Sequence, residues 1–200
     1  SSATPMPDKS PSVILAEQEK CFYDMTRKDD LAVTGSSPYT MPTHAATYTT
    51  DSTGNITITS SGVFTLPTSK GTAITITVDA SDVVIKGTGD KESEEEIVVT
   101  RPNAHLWIDD VRLNNGNHPC IKFTGSGNAL MLLGRNLLSD ASTKETKAGS
   151  FSFPALLDVG EGLTIYNGSS TQEGILYATA SSDLMAIAAI GGDNASAQLT

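Results

Sequence analysis

The sequence predicts an all-β protein: a right-handed parallel β-helix (β-solenoid) preceded by an extended or helical N-terminal arm or cap. Three observations predict the solenoid. Between Ala73 and Leu138, short apolar stretches alternate in and out at a period of two and are separated by Gly, Asn, Asp and Ser turns. Two strand series then share one beat. Ile74, Ile97 and Ile121 recur at intervals of 23 and 24 residues, and Val83, Leu106 and Leu130 at the same intervals. Finally, no stretch in this region has the helical period that a βαβ crossover needs. A repeat of this length cannot bury its own inward side chains, so it must stack on its neighbours. An antiparallel sandwich, whose short strands also follow one another closely along the chain, is the alternative.

The elements follow in order. Residues 1–51 read as the arm and 52–200 as the β-helix. Ser1–Pro11 contains three prolines and small polar residues and reads as an extended tail. Ser12–Lys28 reads as a helix with Ser12 as its N-cap, placed to cover the open end of the first repeat. Asp29–Asp51 is linker-like. Ile56, Ile58, Val63 and Leu66 form a first, irregular repeat. The acidic run Asp90–Glu96 reads as a solvated turn, because like charges repel and stay in water. Asn114–Pro119 is a turn containing His118. Thr143–Ser152 is an insertion, because the steps from Ile121 to Ala155 and from Leu130 to Leu163 both lengthen there, to 34 and 33 residues. Asp193–Thr200 opens another strand and then stops, which leaves an edge for further sequence or another chain.

Composition narrows the function. The chain has 200 residues and a formal net charge of −10, which disfavours nucleic acid and anionic lipid as partners. No long apolar run is present for a membrane span. The Ser/Thr/Gly/Asn-rich loops suit an extracellular β protein, and a start at Ser1 without Met suits a processed secreted product or an excised fragment. Cys21 and Cys120 make one disulfide in an oxidising compartment, or remain buried thiols. Sequons for N-glycosylation lie at Asn55, Asn167 and Asn194.

Candidate binding residues sit on outward positions. If Leu106 and Ile108 face inward, then Trp107, the only tryptophan, and Asp109 face out, and an exposed indole is a stacking platform for a sugar ring. Packing of Trp107 beneath a loop is the competing reading. Tyr166 and Tyr177 offer further rings. Asp109 and Asp110 are adjacent on a strand and point to opposite faces unless the strand ends there. They therefore do not make the paired carboxylates of a glycosidase. No nucleophile–base pair, phosphate-binding loop or Cys/His metal spacing stands out, so no enzyme is expected.

From Cys120 onward, the strand and turn residues Leu130, Leu132, Gly134, Asn136 and Leu138 form a recurring pattern. Ala155, Gly160, Leu163, Ile165, Gly174, Leu176 and Ala178 continue it, and Ala188, Ala189, Ile190, Gly191 and Gly192 close it. This pattern resembles the carbohydrate-binding-domain family of right-handed parallel β-helices in adhesin-like surface proteins of clostridia and related gut bacteria. The resemblance covers the chain from Cys120 onward and lies in core and turn positions. It implies a right-handed β-helix that either binds acidic or cellulosic polysaccharide, sometimes with calcium, or serves as an adhesin stalk. None of the family's calcium ligands carries over to a residue here.

The expected function is therefore a non-enzymatic, secreted or cell-surface structural or adhesive β-solenoid, a fibre or surface-layer subunit joined end to end. Its partners are copies of itself or adjoining β-helical coils. A calcium-assisted carbohydrate-binding module using Trp107, Asp109, Tyr166 and Tyr177 is the alternative. No cofactor beyond that calcium is expected.

Overall fold

The structure, a computed structural model, describes residues 11–16, 31–66, 74–89, 92–115, 118–140, 155–180 and 190–191. All regular structure among them is β. The strands of the described residues fall into three sheets.

The first sheet runs β3 (Tyr48–Thr50), β4 (Ile56–Ile58), β6 (Thr75–Val78), β8 (Glu96–Val99), β11 (Ile121–Phe123), β14 (Leu156–Asp158) and β17 (Ile190–Gly191). The second runs β5 (Gly62–Thr65), β7 (Asp82–Lys86), β9 (His105–Asp109), β12 (Ala129–Leu133), β15 (Leu163–Asn167) and then β2 (Leu31–Ser36). The third runs β10 (Arg112–Asn115), β13 (Arg135–Asp140), β16 (Ile175–Ala180) and then β1 (Ser12–Ala16).

These findings correct the expected fold class. The chain is all-β with parallel pairing, but it forms three sheets of mixed strand order, not a right-handed β-helix with a helical arm. Two departures carry the correction. The first sheet begins with an antiparallel pair, β3 against β4. The second and third sheets end on strands from the opposite end of the sequence: β2 lies parallel to β15, and β1 parallel to β16. Strand spacing reports the distance between neighbours within one sheet and says nothing of which segment closes its edge. The expected helix at Ser12–Lys28 is likewise overturned over the part described. SVILA is an apolar run with two β-branched residues, and it pairs residue by residue with β16, from Ser12 opposite Ile175 to Ala16 opposite Thr179.

Register explains why these sequences form these sheets. Val83, Leu106 and Leu130 are successive partners in the second sheet, as their common interval predicts. In the first sheet Ile97 pairs with Ile76, not Ile74, and Ile121 pairs with Leu156, not Ala155. The slip at Ile97 is by two positions and keeps the same face inward, so the apolar pattern alone does not detect it. Burial alternates along β6, β8 and β15. The inward positions build one continuous core from Ala46 to Ile190, with Ile58, Ile76, Ile97, Phe123 and Leu130 fully enclosed.

Polar pins tie successive strands at the corners. Buried Asn136 accepts a hydrogen bond from Val111 N at 2.9 Å and donates to the Leu133 and Ile175 carbonyls at 3.0 and 3.1 Å. Buried Asn128 accepts from Ala104 N at 2.7 Å and donates to Gly125 O at 2.8 Å. At another corner the backbones approach too closely for any side chain. A methyl group at Gly160 would collide with the Gly125 carbonyl, and one at Gly125 would lie 2.5 Å from Pro102 N. Gly160 is thus demanded by packing and not by a left-handed backbone, which is found instead at Gly162 (φ 77°).

Candidate functional site

The outer face of the second sheet carries a second apolar layer. On β7, β9 and β12 the outward positions Val84, Trp107 and Met131 are register partners. With Ala129 they form a buried cluster outside the main core, flanked by Val63, Leu133 and Tyr166. Trp107 does face away from the core, as expected, but it is 0% exposed. This corrects its reading as a sugar platform: it is enclosed among Val84, Ala129 and Met131, with the His105 ring beside it.

The segment 37–47 runs over this face. It is tied at one end by Ser37 N to Asn167 O at 2.9 Å. At the other, Ala46 N donates to Val63 O at 3.0 Å and Val63 N to His44 O at 2.8 Å. From β15 to β5 is four interstrand steps, roughly 19 Å, and the stretch from Ser37 to Ala46 reaches about 30 Å when extended. The segment is therefore long enough to span the sheet as a strap.

Its central anchor is Tyr39. The ring stacks on His105 with centroids 3.7 Å apart and planes 17° apart, and it meets Tyr166 edge-on at 5.8 Å. His105 and Tyr166 stand on β9 and β15, on either side of β12, where Ala129 is the register partner of His105. Ala129, small and buried, occupies the β12 position between them. Asp82, one strand before His105, pairs with its Nδ1 at 2.6 Å. The His105 ring meets Trp107 edge-on at 6.4 Å. Burial, reinforced by Tyr39, pushes the Tyr166 phenol above its ordinary range. This arrangement works as a clasp, with Tyr39 as the tongue and His105 and Tyr166 as the slot.

The remaining predicted residues are dispersed. Asp109 ends β9 beside Asp110, whose backbone turns left-handed (φ 52°). Because the strand ends there, the two carboxylates converge after all. A methyl group at Gly134 would collide with Asp110 Oδ1 and lie 3.1 Å from Asp109 Oδ1. Burial chiefly, and Asp110 secondarily, push the Asp109 carboxyl above its usual range against the pull of Lys86. Asp110 Oδ1 is committed to Arg135 N at 2.9 Å, so it shapes the turn. Tyr177 lies on the third sheet, 37% exposed and apart from the other three. Cys120 is buried with its sulfur 3.4 Å from Ser139 O. Cys21 and the insertion 143–152 lie outside the described residues.

The acidic run is not wholly solvated, which corrects that reading. Glu95 is 1% exposed. Glu96 lies 3.4 Å from His118 Nδ1, an ion-pair distance without hydrogen-bond geometry. Burial raises the Glu96 carboxyl, and His118 and Lys122 oppose that shift. Among the described residues, no group of three or more His, Cys, Asp or Glu side chains is placed to hold a metal ion.

Sequence reasoning missed Tyr39, His105 and Asp82. His105 and Asp82 occupy one outward position on successive repeats, two residues before Trp107 and Val84, and that spacing is visible in the chain. Tyr39 sits among prolines and threonines with no periodic signal. No family of known proteins matches the chain, and no characterised protein or solved structure matches it.

Proposed function

We propose that this is a non-enzymatic structural or adhesive protein of a secreted or cell-surface assembly, whose copies join through their sheet edges. One observation carries the reading. The edges of β15 and β16 are completed by β2 and β1, strands supplied from a remote part of the sequence. Edges that take up a strand by backbone hydrogen bonding are the device by which strand-adding assemblies grow. The resemblance of residues 120–192 to surface-protein domains is consistent with it. Light scattering and negative-stain microscopy over rising protein concentration test it. Mass growth with particles longer than one chain is expected; a single-chain mass up to about 1 mM, the effective concentration of a tethered strand, overturns it.

Carbohydrate binding is the second reading, and it rests on the outward ring of Tyr177, 37% exposed. It excludes Trp107, which is buried. A glycan array with and without chelator decides it, and silence in both conditions removes it.

A further inference from the structure

Resting on the assembly reading, we infer that the N-terminal arm is an exchangeable element, and that its partner is a second copy of this chain. The arm comprises β1, β2 and the Tyr39 tongue. Released from its own body, it pairs with β16 and β15 of the other copy and seats Tyr39 in that copy's slot.

Four observations lead there. β1 and β2 both occupy end positions in their sheets, so their departure breaks no sheet internally. Their contacts with the body are parallel ladders, from Ser12 to Ala16 for β1 and a bulged set for β2, with Ser12 Oγ donating to Glu173 at 2.6 Å. Backbone ladders and a single ring slot are reproduced identically on any other copy. The arm joins the body through the strap, and no hydrogen bond links Thr40–Thr43 to another described residue. That stretch includes Pro42, and it lies between the tongue and the first tie on the body side, His44 Nε2 at 2.9 Å from Ser61 O. It is placed as the hinge.

Exchange of this kind conserves every contact and changes only which chain supplies it, so it is a low-cost route to association. A tethered arm meets its own edges at an effective concentration in the millimolar range, so exchange between copies needs crowding of that order, or refolding together. Reciprocal exchange closes a dimer. One-way exchange passes the arm along a series.

The test uses full-length chains carrying Ile14→Cys or Tyr177→Cys, the two being register partners. Neighbouring strands hold Cα atoms at about 4.8 Å, within disulfide range. The two single variants are mixed at about 1 mM, or refolded together from urea, then oxidised and digested. A 14–177 linked peptide in that mixture is necessarily between chains. It is expected in the dimer band, with the unsubstituted protein giving none. The I14C/Y177C double variant, oxidised while dilute, is expected to be a locked monomer that no longer assembles. Should residues 14 and 177 fail to bond even there, Ser12→Cys with Ile175→Cys is the adjacent pair. Oligomers without an interchain link in the mixture overturn arm exchange and leave the assembly reading standing. Absence of any oligomer overturns both.

Discussion

Replacing Trp107 by Ala separates a buried indole from an exposed binding platform. The side chain is 0% exposed and packs with Val84, Ala129 and Met131. Buried Trp→Ala changes cost about 3–5 kcal/mol in lost transfer energy and cavity formation. The outer layer here relaxes more easily than the core, so the lower end of that range is expected, about 3 kcal/mol. With a urea slope of roughly 2 kcal/mol/M, the unfolding midpoint falls by about 1.5 M. Far-UV circular dichroism is the probe, because the variant loses the only tryptophan. In the parent protein the same residue should resist iodide quenching until the transition. A midpoint shift under about 0.25 M, or full quenching in the folded protein, refutes this placement, since surface substitutions stay within about 0.5 kcal/mol.

Three further outcomes depend on particular side chains. Asn136→Leu strips partners from Val111 N and the Ile175 carbonyl. At roughly 1–3 kcal/mol for each of the two orphaned buried groups it should cost about 2–6 kcal/mol by urea unfolding, and a loss under about 0.5 kcal/mol contradicts the pin. Asp109 has a raised carboxyl pKa, so the folded state disfavours its charge and its contribution to stability falls as pH rises out of the carboxylate range. Asp109→Asn should therefore raise the melting temperature at neutral pH and leave it unchanged in acid below the carboxylate range; the reverse order refutes the assignment. Ala129→Leu adds bulk on β12 between His105 and Tyr166, the two rings that hold Tyr39. It should release the strap and make Trp107 accessible to iodide without unfolding the sheets, and an indole that stays shielded speaks against the clasp.

The repeating strands were legible because their signal is local: inward residues at a period of two, returning at one interval, fix which strands neighbour one another. The register of the second sheet at Val83, Leu106 and Leu130 follows directly from it. The sheet edges were not legible. Nothing in SVILA or LAVTGS specifies an edge at the far end of the chain, since backbone pairing carries little sequence code and only the assembled stack creates the vacancy. The outward direction of Trp107 is readable and its burial is not, because its neighbours Val84, Ala129 and Met131 come from other repeats and meet it only once the strands are paired. Asp109 and Asp110 show the limit of strand geometry, which predicts opposite faces until one residue turns left-handed and brings both carboxylates together.

Native-state hydrogen exchange on the dilute monomer tests the central point most directly, namely that an early segment of the chain seals the far edges of two sheets. The account predicts protection, at least about 100-fold slower than an unstructured peptide, at alternate amides within Ser12–Ala16 and Leu31–Ser36, including Ser12 N bonded to Gly174 O. Exchange of both stretches at the rate of free peptide, with β15 and β16 still protected, would contradict it.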